Sequence, residues 1–187
     1  MKVKKTPLDG LLVIEPDVFV DHRGFLLETW HRNRFASARL NMTFVQDNHS
    51  RSQYGVLRGL HYQLHNPQGK LVFVVSGKVF DVAVDLRIGS PTFGRWFGTL
   101  LSDENHRQMY IPPGFAHGFC VISEKADFMY KCTNFYTPDD QYGVHWNDPD
   151  LGIEWPIKDP ILSEKDAMLP FLKNVPEENL PELREFS

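Results

Sequence analysis

The sequence predicts an all-β domain, in which short strands form a barrel or sandwich and a few short helices lie at the periphery. Three observations lead to this prediction. Apolar and polar side chains alternate along several short segments, which is the two-residue period of a strand. Turn-forming residues are frequent, with 13 Gly and 13 Pro, and 13% of the residues are aromatic. A length of 187 residues predicts one domain, residues 1–187.

The predicted strands lie mainly in the middle of the chain. In the clearest one, Phe80 and Val82 share one face and Asp81 lies on the other. The predicted strands are 71–75, 78–87, 96–101, 108–111, 118–122 and 127–136, with an earlier one at about 25–30. Turns rich in Gly, Pro, Ser and Asn separate them, which is typical of a sandwich or a barrel.

Two short helices are predicted at the edges of the domain. The first spans residues 33–40. The second spans 167–172 and follows Ser163 and Asp166, whose spacing is that of a capping box. The acidic, proline-containing segment from about 176 is assigned to a C-terminal tail.

Charge and cysteine content exclude several functional classes. A formal net charge of -4 predicts no broad surface for nucleic acid or an acidic membrane. No apolar run is long enough for a membrane span or a signal peptide. Cys120 and Cys132 belong to no CxxC pair, so neither a disulfide framework nor a thiolate zinc site is predicted. We therefore expect a cytoplasmic protein.

Residues 112–117 fit the P-x-G-x-x-H pattern that turns the chain and directs a histidine, here His117, into a cupin barrel. A metal-binding cupin also has an earlier H-x-H motif followed by Glu. Here His61 and His65 are four positions apart, and no Glu follows. The cation Lys70 stands close to the position of that Glu and would repel a divalent ion. The sequence predicts a cupin-like jelly roll without a metal site.

The residues at these cupin-like positions are compatible with acid–base chemistry. A neutral imidazole suits general-base work near pH 7. The Lys70 ammonium can stabilise an enolate oxygen, and a phenol such as that of Tyr130 can return a proton from the opposite side. These groups suit proton removal next to a ketone. A core histidine, a surface lysine and a packed tyrosine explain the same residues, so the residues alone leave both interpretations open.

A series of sequence blocks extends from Thr6 to Pro170, nearly the whole chain. The blocks are DHRGF at 21–25, FVQDNHS at 44–50, GVLRGLHYQ at 55–63, QGKLV at 68–72, FDVAVDLR at 80–87, SPTFG at 90–94, IPPGFAHGF at 111–119, YKCT at 130–133, WNDP at 146–149 and SEKD at 163–166. In this order they resemble the signatures of the dTDP-4-dehydrorhamnose 3,5-epimerase family. One block would be weak support, but the ordered set is specific.

The resemblance implies a fold, an assembly and a reaction. The fold is a cupin-like jelly roll, and the assembly is a homodimer in which N-terminal strands are exchanged between subunits. The implied substrate is dTDP-4-dehydro-6-deoxy-D-glucose, and the product is dTDP-4-dehydro-L-rhamnose on the route to dTDP-L-rhamnose and cell-surface polysaccharide. The resemblance implies neither a metal nor an organic cofactor.

Four residues match the catalytic positions of the family. His61 matches the base that removes the protons at C3 and C5, and Asp166 matches the carboxylate that bonds its other nitrogen. Lys70 matches the group that holds the C4 oxygen and stabilises the enolate. Tyr130 matches the acid that reprotonates from the opposite face. Helix capping with Ser163 is the alternative role for Asp166.

The resemblance also implies positions that bind the substrate. Arg23 and Arg58 match pyrophosphate ligands, for which a guanidinium is well shaped. The other implied binding positions are Phe25 and Glu28 from an exchanged strand, Gln46, Asp47 and Asn48 at the nucleotide, Lys70 and His117 at the sugar, and Gln141 and Lys165. Relatives often carry Glu where this chain has Gln141, which leaves Asp139 and Asp140 as candidates for that contact.

Three other functions compete with a double epimerase. Related enzymes invert only C3 or only C5 of a dTDP-4-keto sugar and can share the same His, Lys, Asp and Tyr. A non-catalytic sugar-nucleotide-binding jelly roll would not need the combination of His61, Lys70, Tyr130 and Asp166. A metal-dependent cupin oxygenase would need the H-x-H motif and the Glu that this sequence lacks.

Overall fold

The computed structural model describes residues 1–38 and 40–183. They form thirteen β-strands, two short α-helices and three short 3₁₀-helices. The strands are β1 (Lys2–Lys5), β2 (Leu12–Glu15), β3 (Val18–Asp21), β4 (Gly24–Leu27), β5 (Gln46–Gln53), β6 (Leu57–Gln63), β7 (Lys70–Ser76), β8 (Lys78–Asp85), β9 (Trp96–Ser102), β10 (Gln108–Ile111), β11 (Phe115–Val121), β12 (Lys125–Cys132) and β13 (Gln141–Gly143). The helices are α1 (Arg32–Ser37) and α2 (Glu164–Ala167), with 3₁₀-helices at Pro138–Asp140, Leu172–Asn174 and Glu177–Asn179. None of these helices is long and apolar enough to cross a membrane.

Two antiparallel sheets pack against each other. The first has six strands in the order β1-β2-β10-β7-β12-β5, and the second has five in the order β13-β6-β11-β8-β9. Most neighbouring strands are distant in sequence, as in a jelly roll in which the chain crosses repeatedly between the two sheets. This arrangement confirms the predicted all-β, cupin-like jelly roll with short peripheral helices.

The main core lies between the two sheets. Val72 and Phe128 of the first sheet and Ala83 and Phe119 of the second are among its buried members. The rings of Phe119 and Phe128 stack with centroids 4.1 Å apart and planes inclined by 16°. Burial of one such aromatic side chain contributes about 1.5–3 kcal/mol. This stacked ring pair connects β11 to β12 across the gap between the sheets.

Strand β8 is buried on both faces. Val82 and Val84 pack into a second core beneath the C-terminal part of the chain. Asp81, Ala83 and Asp85 alternate with them and face the space between the sheets, and both carboxylates have an exposure of 0%. A carboxylate buried in this way requires hydrogen-bonding partners.

Most of the predicted elements are found in the structure, with two corrections. The predicted strand 127–136 begins earlier, at Lys125, and ends at Cys132. The predicted helix 167–172 is wrong, because α2 covers Glu164–Ala167 instead. Pro170 has no N–H to donate and disfavours a helical residue before it, so the helix stops short of it. The predicted helix 33–40 is present as α1, and Arg39 lies outside the described residues.

The segment assigned to a tail packs on the domain as far as residue 183. Leu180 is buried at 9% exposure. The main-chain N–H of Ile88 donates to the carbonyl of Pro181 at 2.7 Å, and the N–H of Leu183 donates to the carbonyl of Ile88 at 3.0 Å. This segment covers the outer face of β8. Residues 184–187 lie outside the described residues.

Strands β3 and β4 form a hairpin separate from both sheets. Its large apolar side chains are exposed: Phe19 at 60%, Val20 at 76%, Phe25 at 58% and Leu26 at 69%. The register pairs Phe19 with Leu26 and Val20 with Phe25, so both faces of the hairpin carry exposed apolar side chains.

Candidate active site

A cavity of about 570 Å³ lies between the two sheets. Strands β5, β7 and β12 of the first sheet form one wall, and β6, β11 and β13 of the second form the other. Residues 161–166 complete its rim. This segment is held to the start of β6 because the N–H of Leu57 donates to the carbonyl of Ile161 at 3.0 Å.

His61 and Asp166 form a hydrogen-bonded pair in the cavity wall. Nε2 of His61 lies 2.5 Å from Oδ1 of Asp166, whose residue exposure is 4%. When the carboxylate accepts a hydrogen bond from Nε2–H, Nδ1 is the ring nitrogen with the free electron pair, and it has no hydrogen-bond partner among the described residues. Burial alone would raise the pKa of Asp166, but hydrogen bonds and the charge of His61 bring it below its ordinary value. The pair therefore leaves one ring nitrogen of His61 available at the cavity wall.

Local structure brings these two residues together over 105 positions of sequence. Oγ of Ser163 accepts a hydrogen bond from the N–H of Asp166 at 3.1 Å and so caps α2. The carboxylate itself is directed at His61 and at the N–H of Gly59, 3.5 Å from Oδ2. Gly59 has φ +107°, and a Cβ there would lie 2.5 Å from the carbonyl oxygen of His117. Only glycine lets β6 and β11 approach this closely beside the pair.

His117 and Asp81 form a second histidine–carboxylate pair in the same wall. Nε2 of His117 lies 3.0 Å from each carboxylate oxygen of Asp81. His117 on β11 is the register partner of His61 on β6, so the two rings belong to adjacent strands. Burial raises the pKa of Asp81, and the charges of His117 and Lys70 oppose that rise.

Lys70 and Tyr130 lie on the opposite wall. Lys70 is the register partner of Cys132 on β12, and Tyr130 is two residues from Cys132 on the same face. Burial lowers the pKa of Lys70, and Cys132 and Asp81 partly offset this effect. Burial also raises the pKa of Tyr130, so its phenol stays protonated at neutral pH. Both are proton donors that face the cavity.

The cavity rim carries polar and cationic side chains. Arg58 and Lys165 supply positive charge, and Nε of Arg58 donates to Oγ of Ser52 at 3.1 Å. The amide of Gln141 accepts from the hydroxyl of Tyr136 at 2.7 Å. The other polar lining residues include Gln46, Asn48, Ser50 and Gln68. Such a rim suits an anionic, polar ligand.

Four of the predicted binding residues lie outside this cavity. Arg23, Phe25 and Glu28 belong to the exposed hairpin or follow it, and Arg23 pairs with Asp21 there. The Asp47 carboxylate faces the other side of β5 and accepts from Lys131 at 2.9 Å. The remaining predicted site residues line the cavity: His61, Lys70, Tyr130, Asp166, Gln46, Asn48, Arg58, His117, Gln141 and Lys165.

Asp140 and His65, which the sequence analysis also considered, do not line the cavity. Asp140 accepts hydrogen bonds from the N–H groups of Leu64, His65 and Asn66, so its carboxylate holds the turn after β6. His65 lies beyond the end of β6 and is not part of the cavity lining.

Sequence reasoning missed several lining residues. Ser50 lines the cavity, and its Oγ is buried without a hydrogen-bond partner within the described ranges. Tyr136 is 46% exposed at the rim, and Phe119 and Phe128 line the interior. The period of two that places Tyr130 and Cys132 on one face also selects Phe128. No comparable signal selects Ser50 in the polar strand β5.

The part of the chain that the structure describes contains no group of three or more His, Cys, Asp or Glu side chains arranged to hold a metal ion.

Comparison with known proteins gives consistent matches. A sequence profile of the family described as dTDP-4-dehydrorhamnose 3,5-epimerase matches residues 5–174. A Pseudomonas aeruginosa dTDP-4-dehydrorhamnose 3,5-epimerase is 56% identical over 168 residues, covering 89% of this chain and 93% of that protein.

Solved structures are also similar. A Legionella pneumophila dTDP-6-deoxy-D-glucose-3,5-epimerase in complex with dTDP-4-keto-L-rhamnose has a TM-score of 0.94, 51% identity and 97% coverage of both chains. A 3'-monoepimerase from Streptomyces bikiniensis in complex with dTDP-quinovose has a TM-score of 0.90 and 35% identity, covering 96% of this chain and 92% of that one.

The profile covers far more than half of the chain, and relatives above 50% identity align over most of their own length. The chain therefore belongs to the dTDP-4-dehydrorhamnose 3,5-epimerase family, whose members are sugar-nucleotide epimerases.

Proposed function

We propose that this enzyme converts dTDP-4-dehydro-6-deoxy-D-glucose to dTDP-4-dehydro-L-rhamnose, for dTDP-L-rhamnose synthesis, without a metal or organic cofactor. One observation carries the proposal. A histidine base, His61, and a tyrosine acid, Tyr130, line the same cavity from opposite sheets. Inversion of a carbon centre requires that the proton leave from one face and return to the other.

The reaction uses the acidity of the two C–H groups beside the C4 ketone. Nδ1 of His61 takes the proton, and the bonding electrons move to the C4 oxygen to give an enolate. The Lys70 ammonium stabilises this oxyanion, a contribution of several kcal/mol for donors of this kind. Tyr130 then donates its proton to the opposite face of the carbon, and the ketone re-forms. Exchange with water returns both side chains to their starting states before the second centre reacts.

Asp166 supports the base through its hydrogen bond to Nε2 of His61. A carboxylate in this position selects the tautomer with a free Nδ1 and stabilises the imidazolium that forms after proton removal. We assign Asp166 to this role because its oxygens point at His61 and Gly59, while capping of α2 is performed by Ser163.

The cationic rim fits the dTDP part of the substrate. Arg58, Lys165 and His117 surround space suited to a pyrophosphate. Gln46, Asn48 and Gln141 offer amide groups to the base and the sugars of the nucleotide. Because the Asp47 side chain faces away, its predicted contact would come from its main chain.

We further propose a homodimer in which the hairpin of one subunit completes the cavity of the other. The exposure of Phe19, Val20, Phe25 and Leu26 supports this, since a large apolar surface is stabilised by a partner. Arg23 and Glu28 would reach the nucleotide from that partner. We place the enzyme in the cytoplasm, where the free cysteines Cys120 and Cys132 stay reduced.

The test is incubation of the enzyme with dTDP-4-dehydro-6-deoxyglucose in D₂O, with NMR readout of deuterium at each carbon and trapping of the product by a reductase. Deuterium at C3 and C5 with an L-rhamno product is expected. Inversion at one centre would favour the mono-epimerase alternative, which the similarity to the Streptomyces bikiniensis enzyme keeps in view. Binding of the nucleotide sugar without any exchange would refute an epimerase role.

A further inference from the structure

The segment 161–172, which we call the strap, carries Asp166, the hydrogen-bonding partner of His61. Its first residue is held to β6, because the N–H of Leu57 donates to the carbonyl of Ile161 at 3.0 Å. The strap then passes along the cavity rim and includes the short helix α2. The position of the Asp166 carboxylate therefore depends on how the whole strap is held.

The far end of the strap is held by Asp148, a buried acid with 2% exposure. Its Oδ2 accepts a hydrogen bond from the N–H of Leu172 at 2.6 Å. Its Oδ1 accepts from the N–H groups of Asp150 and Leu151 at 2.8 and 3.2 Å. One carboxylate thus joins the strap to the loop that follows β13. Asp148 is not among the described residues that line the cavity, so it acts on the site only through the strap.

Two further contacts hold the same part of the strap. The N–H of His145 donates to the carbonyl of Pro170 at 2.8 Å. Leu169 packs on Gly143 of β13, where a Cβ on the glycine would lie 2.8 Å from Cδ1 of Leu169. Because α2 has only four residues, packing rather than its own hydrogen bonds must fix its direction.

We propose that Asp148 is a positioning residue for the His61–Asp166 pair. By accepting the N–H of Leu172, it fixes the strap and so directs the Asp166 carboxylate at Nε2 of His61. This role also gives a reason for the WNDP block at 146–149, which lies outside the described cavity lining. The inference rests on the proposed function, in which His61 is the base and Asp166 its support.

The bond between His61 and Asp166 is sensitive to small movements. Nε2 and Oδ1 are 2.5 Å apart, and a hydrogen bond weakens steeply as its geometry departs from the optimum. Displacement of a catalytic group by about 1 Å can cost about 100-fold in rate. Release of the strap at Leu172 would therefore weaken the support of the base without changing any residue of the cavity.

The experiment combines hydrogen exchange with a double-mutant cycle. In Asp148→Asn, the amide oxygen can still accept from Asp150 and Leu151, but its NH₂ group faces the N–H of Leu172, so that bond is lost selectively. Amide exchange of residues 161–172, measured by mass spectrometry on the ligand-free protein, should accelerate on the order of 10-fold, the equivalent of one hydrogen bond. The value of kcat should also fall on the order of 10-fold.

The double variant separates positioning from general destabilisation. If Asp148 acts through Asp166, the loss of kcat caused by Asp148→Asn should shrink to within about twofold in an Asp166→Asn background. Met168→Ala is the matched control within the strap, because this side chain is 85% exposed. Its exchange and its kcat should stay close to those of the wild type. Asp85→Asn, which loses stability elsewhere, should leave local exchange of the strap unmoved.

Leu169→Ala provides a second variant if Asp148→Asn does not fold, since it loosens the same strap and leaves Asp148 intact. It should show the same faster exchange and the same dependence on Asp166. Unchanged exchange of residues 161–172 would overturn the proposal, and so would an equal loss of kcat with and without Asp166.

Hydrogen exchange needs no substrate, so it is independent of turnover. If the wild type exchanges no substrate protons, the proposed function fails. An active wild type whose Asp148 and Asp166 variants are additive refutes the role of Asp148 alone.

Discussion

Two acids buried in this protein, Asp85 and Asp166, are each held by several hydrogen bonds but differ in what they leave open. Asp85 accepts from the Arg87 guanidinium at 2.8 and 2.9 Å and from the hydroxyls of Ser90 and Thr92 at 2.6 Å. Both of its oxygens therefore meet protein donors. Burial alone would raise the pKa of Asp85, but these donors bring it below its ordinary value.

The hydrogen bonds around Asp166 lead instead to His61, a side chain with one ring nitrogen that no described residue contacts by a hydrogen bond. Its carboxylate bonds one nitrogen of His61, and the other nitrogen belongs to a ring that borders the cavity. Burial and hydrogen bonding are similar in the two clusters, so neither property distinguishes one acid from the other. The difference lies in where the hydrogen bonds end: Asp85 forms a closed ion pair with Arg87, whereas the second ring nitrogen of His61 has no partner within residues 1–38 and 40–183.

The comparison predicts a large loss of activity without loss of stability at His61. His61→Ala should lower turnover on the order of 10³-fold, because general-base catalysis disappears. Binding of dTDP should stay close to that of the wild type, since the proposed mechanism assigns His61 to the sugar and not to the nucleotide. Rates from NMR and dissociation constants from calorimetry check both parts. Retained turnover would remove His61 from the role of base.

The opposite pattern is expected at Asp85. Asp85→Asn should lower the free energy of unfolding by about 3 kcal/mol, because it leaves the buried Arg87 without a counter-charge. At a temperature where the variant is folded, kcat should remain within about twofold of the wild-type value. Urea unfolding followed by circular dichroism measures the first quantity. A loss of turnover larger than the loss of stability would break the comparison.

The pH dependence of stability provides a second test of Asp85→Asn. Because the pKa of Asp85 is lower in the folded state than in the unfolded chain, its contribution is present above the ordinary carboxyl pKa of about 4 and is lost as pH falls through the folded value. The wild type should therefore lose stability below about pH 4. Asp85→Asn should show a shallower loss over that range, since its own contribution is already absent.

A smaller effect is expected at Asp166, which supports the proposed base His61. Asp166→Asn should lower turnover about 10- to 100-fold, because the amide does not select the His61 tautomer. Stability should change less than in Asp85→Asn, since Asp166 has no buried cation beside it. Parallel kinetics and urea unfolding test this. An unchanged rate would instead make Asp166 a residue of the α2 cap.

Most of the fold could be predicted from the sequence, and so could a group of residues that line one cavity. Alternation located the central strands, and the ordered blocks located His61, Lys70, Tyr130 and Asp166. Strand β5 was missed because its residues are polar on both faces, so its pairing with β12 leaves no apolar period to read.

Contacts between residues far apart in the sequence explain the other differences between the predicted and the observed structure. In the sequence, Ser163 and Asp166 predict a helix cap, and the partner of the carboxylate lies 105 residues away. Asp81 and Asp85 occupy equivalent positions in the alternating pattern of β8. They differ only in their partners, which are His117 for Asp81 and Arg87 for Asp85. The pattern of a strand fixes which side chains share a face, but not what the other strands place opposite.

The stacked rings of Phe119 and Phe128 also connect the hydrophobic core to the cavity. One ring comes from the strand next to His61, and the other comes from the strand that carries Tyr130. The spacing between the two cavity walls that carry His61 and Tyr130 therefore depends on how two aromatic rings stack in the core. We therefore expect a core substitution that narrows or widens this gap to alter turnover of the proposed sugar substrate, although it changes neither His61 nor Tyr130.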